Sequence, residues 1–296
     1  MALIDAGMNK NKFGLYHTYF YNTEDTMVIP YPERQMGVDE AGRGCLFGRV
    51  YSAAVIIPYK SPDFNYDLLR DSKRFTAKKK NTIYDAADYI KNHAIAWGIG
   101  YAESEEIDHL NIRVASYLAM HRAIYACMKM LEQRTCEMGH DDDDDVSPMS
   151  RDPGELASHE EYGMTITNPK TIHKGWDIMN DIYLLIDGND FIPIRAMDHD
   201  GMITTMKWQC IERGDNSFAA IAAASILAKT ARDTYVRDMC KRFRELSVFY
   251  EMDKHMGYAT TKHRAAIQQY GATTFHRKTF GICKLAEIRE LDEEDV

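Results

Sequence analysis

A chain of 296 residues that is 45% hydrophobic and 27% charged has the composition of an ordinary water-soluble protein, long enough to bury a core. Its net charge of −9 argues against a nucleic-acid binder only until the charge is located. Residues 137–161 carry −9 and residues 287–296 carry −5, which leaves a mildly basic body of +5.

Residues 1–33 are polar and aromatic without clear periodicity and read as an extension outside the core domain. Met36-Gly37-Val38-Asp39 and Arg49–Ile57 read as a strand pair joined by a glycine-rich loop. Pro58 to Phe75 reads as a loop, and Thr76 caps a helix from Ala77 to about Asn92. A third strand is expected over 94–101, a short helix over 104–109 and a long one from Ile112 to about Glu132. Residues 135–175 contain the run Asp141–Asp145 and few large apolar groups, so they read as a solvated, self-repelling, flexible insertion. A calcium loop would interleave its acids with glycine at fixed spacing, and this run does not. Ile182–Asp187 reads as an apolar strand ending in an acid, and Ile203–Ile211 as a further strand. Phe218–Phe243 is a long helix, rich in alanine first and basic later; Thr261–Gln269 is the last helix, before an acidic tail over 286–296. The pattern makes a mixed α/β domain over 34–285.

The chemistry concentrates in Gly37-Val-Asp-Glu-Ala-Gly-Arg-Gly44. Asp39 and Glu40 end an apolar run, and neighbours on a regular strand point to opposite faces. Glycine after Glu40 lets the backbone bend so that both carboxylates reach one centre, and leaves amides bare for a ligand. Arg43 supplies a planar cation suited to phosphate. Taken alone, an acidic pair before glycines is also a common solvated turn. Gly42-x-Gly44-x-x-x-Gly48 fails as a dinucleotide fingerprint, because a strand and not a helix follows it. Asp198-His199-Asp200 has the look of a metal cluster and reads as a turn before Gly201.

The stretch 37–44 resembles the signature of type 2 ribonucleases H, the ribonuclease HII family. The resemblance continues at Asp71-Ser72-Lys73, Leu185-Ile-Asp187-Gly-Asn189, Ala222–Asp233, Gly257-Tyr258-Ala-Thr260 and His276-Arg277-Lys-Thr-Phe280, in the family's order. It implies a ribonuclease H-like fold with a helical C-terminal part closing one side of the cleft. It assigns the four metal-binding and catalytic acids to Asp39, Glu40, Asp187 and Asp233, holding two divalent ions, Mg2+ or Mn2+. It gives the 2′-hydroxyl to the backbone of Gly42, Arg43 and Gly44, and the nucleotide at the RNA–DNA junction to Tyr258. Ser72, Lys73 and the basic run Lys241-Arg242-x-Arg244 are candidate phosphate contacts, and Lys229 with Arg232 faces either a phosphate or the acid cluster. Alone, Asp187 before Gly-Asn is turn chemistry, Asp233 a helix-surface charge and Tyr258 a surface aromatic. Ser225 and Ala219–Ala224 read as close helix packing.

The chain departs from the family at Cys45 and Arg49, where proline is usual, and at Met256 and Ala259, which flank the tyrosine. The expected activity is metal-dependent endonucleolytic cleavage of RNA in RNA–DNA hybrids, including cleavage 5′ of one ribonucleotide in duplex DNA. The alternatives are a nuclease of the same fold limited to long hybrids, and a non-catalytic nucleic-acid-binding subunit. No apolar run reaches membrane-spanning length, Met1–Lys12 has no signal-peptide core, and six scattered cysteines fit a reducing compartment. A cytoplasmic monomer is expected, with a nuclear location left open.

Overall fold

A computed structural model describes residue 15 and residues 34–58, 61–69, 80–138, 172–174, 179, 181–197 and 201–291. Its centre is a five-stranded sheet in the order β3-β2-β1-β5-β8. The strands are β1 (Arg34–Ala41), β2 (Val50–Ile56), β3 (Ala96–Ala102), β5 (Ile182–Asp187) and β8 (Lys207–Ile211). The first three form an antiparallel meander, and β5 and β8 join parallel to β1. A smaller sheet holds β4 (Ile172–Lys174), β6 (Arg195–Met197) and β7 (Ile203–Thr205).

Helix α1 spans Lys80–His93, α2 Ser104–Leu110 and α3 Ile112–Met138, while α4 (Ala219–Arg242) leads into α5 (Arg244–Val248), α6 (Met252–His255) and α7 (Thr261–Tyr270). Both faces of the sheet are covered. A side chain at Gly37 would strike the backbone of Ala220 on α4, whereas one at Gly98, on the opposite pleat, would strike Ala123 of α3. This explains why β2 and β3 are buried throughout instead of alternating. Each large core side chain such as Trp97 or Leu118 contributes roughly 1.5–3 kcal/mol by leaving water. A second apolar cluster, including Phe47, Val236, Phe243, Tyr250 and Ile267, packs α5–α7 and the loop after β1 against the far half of α4. The mixed α/β class and the helical C-terminal part are as expected.

The expected strand Ile203–Ile211 is two strands, β7 in the smaller sheet and β8 in the main one, and other boundaries differ from the sequence reading as well. Helix α3 continues to Met138, and β4 pairs with β6, so regular structure enters both ends of the segment 135–175. Leu15 is buried in the main core, so the N-terminal segment is not wholly outside it. Ile288–Arg289 forms a strand, β10, beside β9 (Ala272–Thr273), inside the stretch read as an acidic tail. Asp71, Ser72, Lys73, Asp141–Asp145 and Asp198–Asp200 lie outside the described residues. Among the described residues no helix is long and apolar enough to cross a membrane.

Candidate active site

Strands β1 and β5 bring two acids together. Val38 pairs with Ile186 in parallel register, so Asp39 and Asp187 follow side by side at the ends of neighbouring strands. The absence of a side chain at Gly37 lets α4 press onto β1, and from α4 Ser225 hydrogen-bonds the Asp39 carboxyl. Ser225 therefore has a polar partner at the cluster, beyond the packing role read from the alanine-rich run. Asp39 is 5% exposed, and its Oδ1 also accepts the Glu40 amide at 2.7 Å. Burial, then the negative charges of Glu40 and Asp187, hold its carboxyl well above the usual carboxylate range.

The strand does not bend after Glu40 as expected. Strand β1 stays paired with β2 through Ala41↔Tyr51, and the turn falls at Gly42, whose φ is +94°. Glu40 consequently faces the pleat opposite Asp39 and accepts the Arg43 guanidinium at 3.2 Å.

The fourth expected acid stands elsewhere. Asp233 on α4 accepts Lys229 Nζ at 2.7 Å on one oxygen and Arg232 Nη1 at 3.2 Å on the other. Asp187 Oδ1 instead meets the 3₁₀ turn Gly214–Asn216, accepting the Gly214 amide at 2.6 Å and the Asp215 amide at 3.4 Å. Asp215 is 1% exposed in that turn. Its one signal in the sequence is an acid in Arg213-Gly-Asp215, directly before the long helix, and that does not single it out.

The donor set is hard oxygen, and a buried carboxyl that feels the charges of Glu40 and Asp187 is the electrostatic situation a divalent cation relieves. Among the described residues no three acid, His or Cys side chains converge on one point as they stand. Glu40 is turned to Arg43 and Asp233 to its two cations, so a metal would have to draw Glu40 inward.

The glycine loop is held on two sides. Leu46 donates to the Gly257 carbonyl at 2.9 Å, Gly48 to Phe275 at 2.9 Å, and Cys45 bridges Tyr258. The Cys45 amide also donates to Gly42 at 3.3 Å, a bond that proline there would forbid. Arg49, the second departure, pairs with Glu103 at 2.7 Å and lies over the rings of Tyr101 and Tyr235. Met256 has φ +49°, a conformation closed to proline. Gly44 has nothing within 4 Å of where a side chain would stand. Tyr258 is 40% exposed, with Arg232 Cζ 4.9 Å and Lys229 Nζ 5.9 Å from its ring centre. The expected substrate contacts Gly42, Arg43, Gly44, Lys229 and Tyr258 thus share one side of the site.

Comparison with known proteins matches residues 36–135 and 164–283 to the family model described as Ribonuclease HII. Ribonuclease HII of Bacteroides thetaiotaomicron is 37% identical over 259 residues, covering 86% of this chain and 95% of the relative. Ribonuclease HII of Christiangramia forsetii is 33% identical over 261 residues (88% and 93%), and that of Nitrosospira multiformis 35% over 255 (86% and 90%). The central mixed sheet with helices on both faces is the mixed α/β architecture expected from the sequence.

Proposed function

Because this chain belongs to the ribonuclease HII family and is an endoribonuclease of the ribonuclease H class, we propose that it cuts 5′ of single ribonucleotides embedded in duplex DNA, as well as within longer RNA–DNA hybrids. The observation that carries the proposal is the open face at Gly44, beside Cys45, which pairs with the half-exposed Tyr258. The protein itself does not need a glycine at 44, so the clear space is available to a sugar.

Asp39 and Asp187, with Glu40 drawn inward, would bind two divalent ions, Mg2+ or Mn2+. The geometry favours Asp215 over Asp233 as the fourth acid. When bound, the ions supply an activated water and neutralise the leaving oxygen. The protein's own groups do the rest. The Ser225 hydroxyl and the Glu40 amide orient Asp39 by donating hydrogen bonds to its carboxylate, and the Gly214 amide orients Asp187 in the same way. The amides of Gly42, Arg43 and Gly44 read the 2′-hydroxyl, which both donates and accepts. The Tyr258 ring packs on the nucleotide beyond it, and Arg43 and Lys229 meet phosphates. The enzyme acts as a monomer in a reducing compartment.

The test is cleavage of a duplex carrying one ribonucleotide, with Mg2+ or Mn2+, beside an all-DNA duplex. A single cut leaving 3′-hydroxyl and 5′-phosphate ends is expected on the first and none on the second. Equal cutting of both, or of neither, refutes the proposal.

A further inference from the structure

Two guanidiniums, those of Arg232 and Arg277, are 0% exposed on either side of the loop after β1. Arg is rarely buried so completely, and its donors then need acceptors. Arg277 finds three loop carbonyls: Arg43 at 2.9 Å, Gly48 at 2.9 Å and Arg49 at 3.0 Å. It is a brace for the loop backbone.

Arg232 makes a different set of contacts. One nitrogen donates to the carbonyl of Met256, two residues before Tyr258, and another to Asp233 at 3.2 Å. Its plane lies 4.9 Å from the centre of the Tyr258 ring. Its stem runs under the loop: a side chain on Gly42 would stand 2.8 Å from Nε and 2.9 Å from Cδ of Arg232. That Nε is buried with no hydrogen-bond partner among the described residues, so steric fit and not bonding sets it there. A single side chain therefore touches the glycine loop, the tyrosine ring and the backbone that presents the ring.

We propose that Arg232 is a specificity-determining positioning residue, with Asp233 as its counter-charge. It fixes the height of the Tyr258 ring relative to the Gly42-Arg43-Gly44 loop, and so sets the gap that admits a ribonucleotide next to a deoxynucleotide. The planar fork is needed because one face meets the ring while the edge bonds Met256 and Asp233, which a lysine ammonium cannot do at once. The inference rests on the ribonucleotide-reading function proposed above and assigns part of its selectivity to a residue buried away from the substrate.

The test compares Arg232→Lys, Tyr258→Ala and the double variant on a single-ribonucleotide duplex and on a long hybrid. Amide hydrogen exchange is measured on the same proteins. Arg232→Lys is expected to lower single-ribonucleotide cleavage about tenfold, the scale of a lost cation–π contact and a charge-assisted bond, and hybrid cleavage much less. The double variant should be no worse than Tyr258→Ala alone, because coupled residues are not additive. The amides of Leu46 and Tyr258 should exchange faster in Arg232→Lys, while those of Ala53 and Val55 in β2 stay protected. Losses that multiply in the double variant, or an equal loss on both substrates with unchanged loop exchange, overturn the positioning role. A wild type that leaves the embedded ribonucleotide intact overturns the proposed function instead, and the exchange comparison alone still decides whether Arg232 holds the ring.

Discussion

Asp187 accepts the backbone amide of Gly214 at 2.6 Å, and that bond seats the turn carrying Asp215 on the end of β5. The turn is buried and continues straight into α4, the helix that also delivers Ser225 to Asp39. One helix start and two strand ends thus bring Asp39, Asp187 and the turn of Asp215 to one end of the sheet, while Asp233, farther along α4, is occupied by Lys229 and Arg232.

The two candidates for the fourth acid separate by mutation. Asp215→Asn is expected to lower turnover about 100-fold or more, as loss of a group that positions charge in the transition state does. Asp233→Asn should cost about tenfold or less, falling mainly on single-ribonucleotide substrate, because it loosens a counter-charge worth roughly 1 kcal/mol. Steady-state rates on both substrates check this, and the reverse order would return Asp233 to the cluster.

Gly42 and Gly44 should respond oppositely to alanine. At Gly42 the backbone is left-handed (φ +94°) and Arg232 lies 2.8 Å from the new methyl, so Gly42→Ala should destabilise the fold by about 1–3 kcal/mol. At Gly44 nothing lies within 4 Å, so Gly44→Ala should stay within about 0.5 kcal/mol of wild type. Its cleavage should nonetheless drop about tenfold or more, since a side chain would crowd the sugar against the amides. Denaturant melts paired with rates test the contrast; an active Gly44→Ala would remove the loop from recognition.

Acid should weaken the C-terminal part specifically. His263 donates to or accepts from His276 at 3.0 Å in a buried cluster near His255. Burial pushes His263 down to about 4 and His276 well below the ordinary 6.5, so both are neutral in the folded protein. Below about 6.5 the unfolded chain binds protons that the folded one refuses, so stability rises with pH across that range. Loss accrues as pH falls from about 6.5 towards 4, at roughly 1.4 kcal/mol per pH unit for His263 alone, and none is expected above about 7.5. Melts between pH 4.5 and 8 measure it, and a flat profile would contradict the neutral pair.

Tyr258→Ala should remove a stacking surface worth about 1–3 kcal/mol. The loss should be larger on a lone ribonucleotide than on a long hybrid, which offers many registers and no obligatory junction. A ratio of the two activities unchanged from wild type would leave Tyr258 as a packing residue.

Much of this was legible in the chain. The apolar runs of β1, β2, β3 and β5 and the long helices α3 and α4 announce themselves by composition and period, because each buries an unbroken stretch of residues. Asp39, Glu40 and Asp187 stand out as candidates because each ends an apolar run of sequence. Asp215 does not, since Gly-Asp-Asn is ordinary turn chemistry and its meaning comes from a bond to Asp187, 27 residues away from Gly214. Asp233 is ambiguous for the matching reason: an acid beside Lys and Arg on a helix is most often an ion pair, and the structure pairs it with both. Arg232 is ambiguous, because Lys229 and Arg232 follow directly on a run buried on every side and the sequence alone does not say which cation is covered. The two-to-five-residue elements β4, β6, α5, α6, β9 and β10 have no period to read and exist through tertiary contact.

The central claim is that Asp39, buried beside Asp187, carries the hydrolysis. The most direct measurement is single-turnover cleavage by Asp39→Asn in Mg2+ on a duplex with one ribonucleotide, with substrate binding measured in parallel. The account predicts at least a ~100-fold slower cut with binding retained, because phosphate contacts lie elsewhere. Cleavage at the wild-type rate would contradict it.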